Sequence, residues 1–459
     1  MMSAPAGDPP PLPAAEILAA IEARRYPEAV ALAEDAVRVG PARAEAWNAL
    51  GVALRVSGDA RAALACHRRA LELSPESVVA LVNLGNAAIE LDRVDEAVAA
   101  LRRAVAKRPT AKHLMDLGHV LHDAGLFQDA IAAFDAALRL EPDAARAHCE
   151  RGQVLLRLGR HAEGWPEFEW RWRLPDMGPM PSYRTPAWNG APVSGTVIVW
   201  PEQGFGDAIL SARFLPGLRE RVGRFVLGVK PELSRLFSEL AGVDTLVAMG
   251  ARQPAHVAHA SMMSLPGFAM RDPRDLPPPP ARLHIPAEAR ARLAPVIAQA
   301  GRRLKVGIVW SGSVTFKANA QRATGLDRFL TFAEVPGVQL FSLQKGPRAA
   351  ELAASGARNF VIDLAPHCAD FADTAAAVDL LDLVIMTDSS VAHLAGSLGK
   401  PIWNLLCYAP YWLYGVAGSE TPWYPSMRLF RQTTAGAWDP VFAAARTALA
   451  ETARAGGHA

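Results

Sequence analysis

The sequence holds only four cysteines, Cys66, Cys149, Cys368 and Cys407, and none falls in a CxxC or CxxH pair. Four scattered thiols build neither a disulfide framework nor a zinc site, so reduced thiols in a cytoplasmic protein are expected. Net charge is nearly absent: 48 Lys and Arg stand against 46 Asp and Glu, a formal +2. That balance argues against a nucleic-acid binder working by charge alone. No apolar run approaches the ~20 residues of a membrane-spanning helix. The start, MMSAPAGDPPPLPAA, lacks the basic segment and apolar core of a secretory signal and reads as a proline-rich disordered tail. No strand-like run is followed by GxGxxG, which makes a dinucleotide-binding oxidoreductase a poor fit.

What is present begins with a repeat. Gly51, Gly85, Gly118 and Gly152 recur at intervals of 34, 33 and 34 residues, and Pro41, Pro75, Pro109 and Pro142 keep the same beat. Between each glycine and the next proline lie two alanines, Ala63 and Ala70, Ala97 and Ala104, Ala130 and Ala137. Small residues let two antiparallel helices approach closely, and the proline ends the second helix. Trp47, Leu50, Leu84, Leu117, Leu121 and Phe134 are the expected filling. The pattern resembles the tetratricopeptide repeat: three full copies, a degenerate copy before Pro41, and a fourth that loses its alanine at Gly164. Such arrays stack into a solenoid whose concave face usually binds protein.

After Arg160 the character changes. Trp165, Trp170, Trp172 and Trp188 crowd among prolines and arginines in a segment read as a rigid junction. From Thr196 onward, strand-like runs TVIVW, RFVLGV, DTLVAM, KVGIVW, VQLFSL, NFVIDL, DLVIM and PIWNLL alternate with helical stretches, the signature of parallel sheets. The run RDPRDLPPPPARLHIP interrupts them as a linker between two lobes. The 459 residues therefore divide into a tail over 1–14, a solenoid over 15–163, a junction over 164–194, and α/β lobes over 195–285 and 286–459. Two such lobes face each other across a cleft at the carboxyl ends of their strands.

Three strand-end stretches carry chemistry. In VIVWPEQGFGDAIL, Gly204 and Gly206 permit a tight turn and close approach to backbone, and Asp207 opens the next helix. Its ordinary reading is dipole compensation, and its functional reading is a general base, with Glu202 the weaker candidate. In KVGIVWSGSVTFKANAQR, hydroxyls at Ser311 and Ser313 and cations at Lys317 and Arg322 suit a diphosphate, while Gln344 and Lys345 of SLQKG are placed to touch a base or ribose. In TDSSVAHLAGSLGKP, Asp388 or Ser389 caps a helix whose amides at Ser389, Ser390 and Val391 suit a phosphate. Asp388 would otherwise bond a ribose hydroxyl or an amino group. His393 is either a ligand contact or a satisfied structural histidine.

These residues, with EQGFGD, MSLPG, KVGIVWSG, SLQKG, FADTAAAVDLLDLVIMTDSSVAHLAGSLGKPIWNLL and PWYPSMRLFRQ in that order, resemble the GT-B glycosyltransferases of the heptosyltransferase type (glycosyltransferase family 9). The repeat-plus-transferase layout is also similar to O-linked N-acetylglucosamine transferases and to flagellin-modifying transferases. The resemblance implies a GT-B fold and an inverting, metal-independent transfer from a nucleotide sugar, with no other cofactor. It puts Asp207 at the general-base position, and Ser311, Lys317, Gln344, Lys345, Asp388, Ser389, Ser390 and His393 on the donor side. Heptosyltransferases lack the repeats, so a lipopolysaccharide acceptor does not carry over. The acceptor implied is a Ser or Thr hydroxyl on a protein recruited by the solenoid, flagellin being one such protein. From a different class, a repeat scaffold with a degenerate transferase half fits the same sequence.

Overall fold

The computed structural model describes residues 11–91, 93–175, 177, 183–202, 204–314, 319–434 and 436–457. The chain divides into two compact units, residues 1–154 and 155–459.

The first unit is helical. Its elements are α1 (Ala14–Glu22), α2 (Tyr26–Val39), α3 (Ala44–Ser57), α4 (Ala60–Leu73), α5 (Val78–Ile89), α6 (Val94–Lys107), α7 (Ala111–Asp123), α8 (Phe127–Leu140) and α9 (Ala145–Arg157), the last running into the second unit. The repeated glycines explain the pairing. A Cβ on Gly51, Gly85 or Gly118 would meet His67 Cε1 at 2.5 Å, Leu101 Cγ at 2.8 Å or Phe134 Cε1 at 2.6 Å. Each glycine thus seats one large side chain of the next helix. The alanines of Ala63, Ala70, Ala97, Ala104, Ala130 and Ala137 are fully buried where the helices cross. Helices α2, α4, α6 and α8 each stop two residues before a proline, and the intervening Gly40, Ser74, Arg108 and Glu141 leave helical geometry. Proline disfavours a helical conformation in the residue before it. One repeat departs from apolar filling: buried His67 sits with Nδ1 3.1 Å from Asn48 Oδ1, which also accepts from Asn83. Burial pushes the imidazole down to about 4, so it packs as a neutral ring.

The second unit opens with α10 (His161–Phe168) and then builds a four-stranded sheet: β1 (Val193–Trp200), β2 (Val222–Val229), β3 (Thr245–Ala248) and β4 (Ala258–Ser261). Its order is β3-β2-β1-β4, all parallel. The intervening helices are α11 (Phe205–Ser211), α12 (Leu215–Leu218) and α13 (Leu265–Ala269), followed by α14 (Ala287–Ile297) after the proline run. A second sheet contains β5 (Leu304–Val309), β6 (Val338–Ser342), β7 (Val361–Asp363), β8 (Leu383–Thr387), β9 (Ile402–Leu406) and β10 (Met427–Arg431). Its order is β10-β9-β8-β5-β6-β7, again parallel. Helices α15 (Asn319–Arg322), α16 (Leu326–Leu330), α17 (Ala350–Ala354), α18 (Phe371–Leu380), α19 (Ser390–Ser397) and α20 (Trp438–Ala455) complete it. Along β8, Leu383 and Ile385 enter one apolar layer, and Val384 and Met386 the opposite one. Both faces are covered, so the strands read as unbroken apolar runs. The two parallel sheets with alternating helices are Rossmann-like lobes following a repeat solenoid.

Two strands lie outside the sequence reading. β4, with sequence AHAS, has no β-branched residue, and β10, MRLFR, carries two arginines. Both are edge strands, where the demand for an apolar run is weakest. Of the junction tryptophans, Trp165 and Trp188 join the core of the second unit, while Trp170 and Trp172 stay half-buried. Trp165 meets Trp412 edge-on at 5.2 Å, and Trp188 meets Phe225 and Phe268. Among the described residues no helix is long and apolar enough to cross a membrane.

Candidate functional site

Strand order fixes where ligands can enter. In the second sheet β5 has β6 on one side and β8 on the other, so the connections leave in opposite directions from the β5/β8 boundary. In the first sheet the same reversal falls between β1 and β4. Such switch points open a crevice beyond the strand ends. Asp207 follows β1, Ser311 follows β5, and Asp388 to Ser390 follow β8, so the three stretches singled out in the sequence all sit at these two boundaries.

Asp207 lies in the first turn of α11. Its Oδ2 accepts from the Gly204 N–H at 3.0 Å, and its Oδ1 accepts from the Tyr411 hydroxyl at 3.1 Å. Burial pushes the carboxyl from its ordinary 3.8 up to about 6, opposed by those two donors and reinforced by the charges of Glu202 and Asp388. A carboxylate has about four lone-pair positions, so both oxygens retain acceptor capacity.

Glu202, the weaker candidate for the same role, is otherwise engaged. Arg171 grips it with Nε to Oε1 at 2.8 Å and Nη2 to Oε2 at 3.0 Å, and the Ser261 hydroxyl donates to Oε2. Arg171 also reaches Glu169 at 2.6 Å and Ser264 at 3.0 Å. The side chains of Arg171 and Glu202 are each 2% exposed. This network braces the β1/β4 boundary. Both Glu202 oxygens are thereby engaged by Arg171 and Ser261, which gives this carboxylate a bracing part at the boundary.

On the other lobe, Ser389 is the N-cap of α19, its Oγ accepting from Val391 N at 3.3 Å. The Val391 amide is thus already taken, which corrects the expectation that it faces a ligand. Asp388 neither caps the helix nor points to a ribose: Oδ1 accepts from Tyr414 at 2.7 Å and Oδ2 from Arg322 at 2.9 Å. Arg322 therefore neutralises the acid that would repel an anion at this helix terminus. Ser389 and Ser390 are half-buried.

The loop after β5 departs further from expectation. The sequence suits Gln344 to a base or ribose contact, but its Oε1 accepts from Trp310 N and Ser311 N at 3.0 and 2.9 Å. Its Nε2 donates to Ser311 O and Lys345 O at 3.0 and 2.8 Å. An amide has no donor left after that, so Gln344 shapes the loop. Buried Ser311 is held by Asn319, whose Nδ2 donates to its Oγ at 3.2 Å while its Oδ1 takes the Gly312 N–H at 3.1 Å. Lys345 is exposed and donates to the Cys368 carbonyl. Lys317 lies outside the described residues.

The two lobes meet where α11 lies on α19. A Cβ on Gly206 would come within 2.6 Å of His393 Cδ2 and 3.3 Å of Ser390 Cα. Gly206 is therefore needed for this helix contact and not for approach of a ligand. His393 is buried, its Nδ1 3.1 Å from the Tyr424 hydroxyl, and burial pushes it down to about 4. Its bond to Tyr424 and its burial fit the structural reading of the two. Beside this seam Arg213 donates to the Trp423 carbonyl at 2.8 Å.

Sequence reasoning missed Tyr411, Tyr414, Arg171 and Asn319. One signal was available. Of six tyrosines in the chain, Tyr408, Tyr411, Tyr414 and Tyr424 cluster just beyond β9, a strand-end position like the others. Among the described residues no three His, Cys, Asp or Glu side chains come together as a metal set.

Known proteins agree with the repeat half and extend beyond it. Tetratricopeptide-repeat family models match residues 15–65, 54–115 and 115–167. Solved structures of MamA, one from Desulfovibrio magneticus, are 21–22% identical and cover 34% of this chain and 90–91% of their own, with a TM-score of 0.32. Protein FlbA of Caulobacter vibrioides is 30% identical over 456 residues, an alignment spanning 83% of this chain and 74% of FlbA. The chain, a tetratricopeptide-repeat protein with a parallel α/β second unit, belongs to the FlbA family.

Proposed function

We propose that the protein is an inverting glycosyltransferase that moves a sugar from a nucleotide-activated donor to a Ser or Thr hydroxyl of a protein recruited by the repeats. The observation that carries this reading is the placement of Asp207. A half-buried acid with a raised pKa follows β1 at one switch point, and its helix packs on the helix that caps the other. Near neutral pH such a carboxyl is ionised yet basic enough to take a proton in the transition state.

On this reading Asp207 removes the proton of the acceptor hydroxyl as its oxygen bonds to the anomeric carbon. The bond from that carbon to the diphosphate breaks on the opposite face, and the nucleoside diphosphate leaves. The N-terminus of α19, with the Ser389 and Ser390 hydroxyls, favours the departing charge. The Arg322–Asp388 pair supports this by keeping the acid neutralised. Ser311 follows β5 at the same boundary, and it and Lys317 are the residues that would meet the donor's phosphates without a metal. The repeats supply the means of holding a partner protein, and flagellin is the acceptor that the layout suggests.

Incubating the full chain with UDP-, GDP-, dTDP- and CMP-sugars, with lysate proteins present, tests the proposal. Release of nucleoside diphosphate from one donor is the expected result, with CMP-sugars, which would release a monophosphate, as the contrasting class. Silence across the panel would leave a repeat scaffold in its place.

A further inference from the structure

The residue that completes the Asp207 site comes from the opposite lobe. Tyr411 lies beyond β9, in the segment leading to β10, and its hydroxyl donates to Asp207 Oδ1 at 3.1 Å. The next turn of chain is 3₁₀, Trp412–Tyr414, closed by Tyr414 N–H to Tyr411 O at 3.1 Å. Tyr411 is the N-cap of this turn, with backbone at φ −56° and ψ 146°, and Tyr414 is its last residue. Tyr414 then takes Asp388 at 2.7 Å while Tyr411 takes Asp207. One short turn thus donates to an acid on each lobe.

The turn is firmly held. Trp412 is buried, with its ring against Trp165 at 5.2 Å and Trp423 at 5.1 Å. From β10, Arg431 donates to the carbonyls of Tyr414, Gly415, Ala417 and Gly418. A tyrosine fixed at its backbone in this way has little freedom to leave its partner, and buried tyrosine hydroxyls are seldom left unpaired.

We propose that Tyr411 is a positioning residue for Asp207, orienting Oδ1 and stabilising its charged form from the lobe that carries the α19 site. The proposal rests on the reading of Asp207 as the base. The Gly204 N–H fixes Oδ2 from within the first lobe, so each oxygen is oriented by a different lobe. A base arranged in this way is fully oriented only when the lobes are together. The other groups facing Asp207 are Glu202 beyond β1, clamped by Arg171 and Ser261, Asp388 beyond β8, clamped by Arg322 and Tyr414, and the buried Tyr424 phenol. His393 of α19 lies under Gly206. Both acids raise the Asp207 carboxyl, and the Tyr411 hydroxyl opposes them. Removing that hydroxyl leaves the opposing influences unbalanced, so the carboxyl must titrate higher.

Tyr411→Phe keeps the ring and deletes only the donor. The direct test is a ¹³C NMR titration of full-length protein labelled at aspartate Cγ, with Asp207 identified by the signal lost in Asp207→Asn. The expected result is a midpoint that rises by at least about 0.5 in Tyr411→Phe, in a protein that still unfolds in a single cooperative transition. An unmoved midpoint would overturn the inference while leaving the base assignment standing. Conversely, an Asp207→Asn protein that still transfers sugar would remove the base assignment whatever the titration shows.

Discussion

Asparagine at position 207 is expected to lower sugar transfer by about 10²–10⁴-fold with the fold intact. The change is nearly isosteric, and the new Oδ1 can still accept from either Gly204 N–H or the Tyr411 hydroxyl. What it cannot do is take a proton. The pH dependence carries a second signature. With the carboxyl pushed up to about 6, wild-type activity climbs as pH rises through 6 and levels above it, because the base works only when ionised. Residual activity in the variant has no such limb. Stability moves the other way. A carboxyl at 3.8 in the unfolded chain and about 6 in the folded one holds its proton more tightly when folded. The stability it contributes is full below 3.8 and is lost as pH rises through 6. Above that pH the asparagine variant should therefore melt no lower than wild type, and urea titrations at pH 5 and 8 would check this. A protein that is equally stable and far less active has lost chemistry and not structure.

Methionine at position 171 is expected to cost about 3–5 kcal/mol of stability. Methionine fills much of the arginine's space, but it leaves Glu202 without its guanidinium in a site where the side chain is 2% exposed. An unpaired buried carboxylate is far costlier than an absent pair. Replacing Arg171 and Glu202 together by apolar residues should recover much of the loss. Guanidinium titration of wild type, the single variant and the double variant measures both effects. The same brace spans Glu169, beside the tryptophans, and Ser261 and Ser264, around the end of β4. Loosening it would also blur the turn that presents Asp207.

Much of this was legible because the repeat and the parallel sheets follow from local rules. The glycine–alanine–proline beat fixes where helices touch and stop, and each of the four prolines indeed follows a helix by two residues. Strands buried on both faces announce themselves as apolar runs, and their carboxyl ends point to candidate ligand loops. Edge strands β4 and β10 did not announce themselves, because an edge tolerates AHAS or MRLFR. Side-chain partners were less legible still. Whether Gln344 faces a ligand or its own backbone depends on how the loop from Trp310 to Asn319 folds, a tertiary fact with no local signature. Gly206 similarly reads as room for a ligand until the other lobe supplies His393. Tyr411 reaches Asp207 across 204 positions of sequence, so periodicity could not pair them.

The claim that these repeats recruit a substrate for these lobes is tested most directly by intact-mass analysis of proteins retained by the immobilised full chain, before and after incubation with the nucleotide sugars. The account predicts that a retained protein gains the mass of one or more sugars, and that no gain occurs with Asp207→Asn. Retained proteins whose masses stay unchanged with every donor would contradict it.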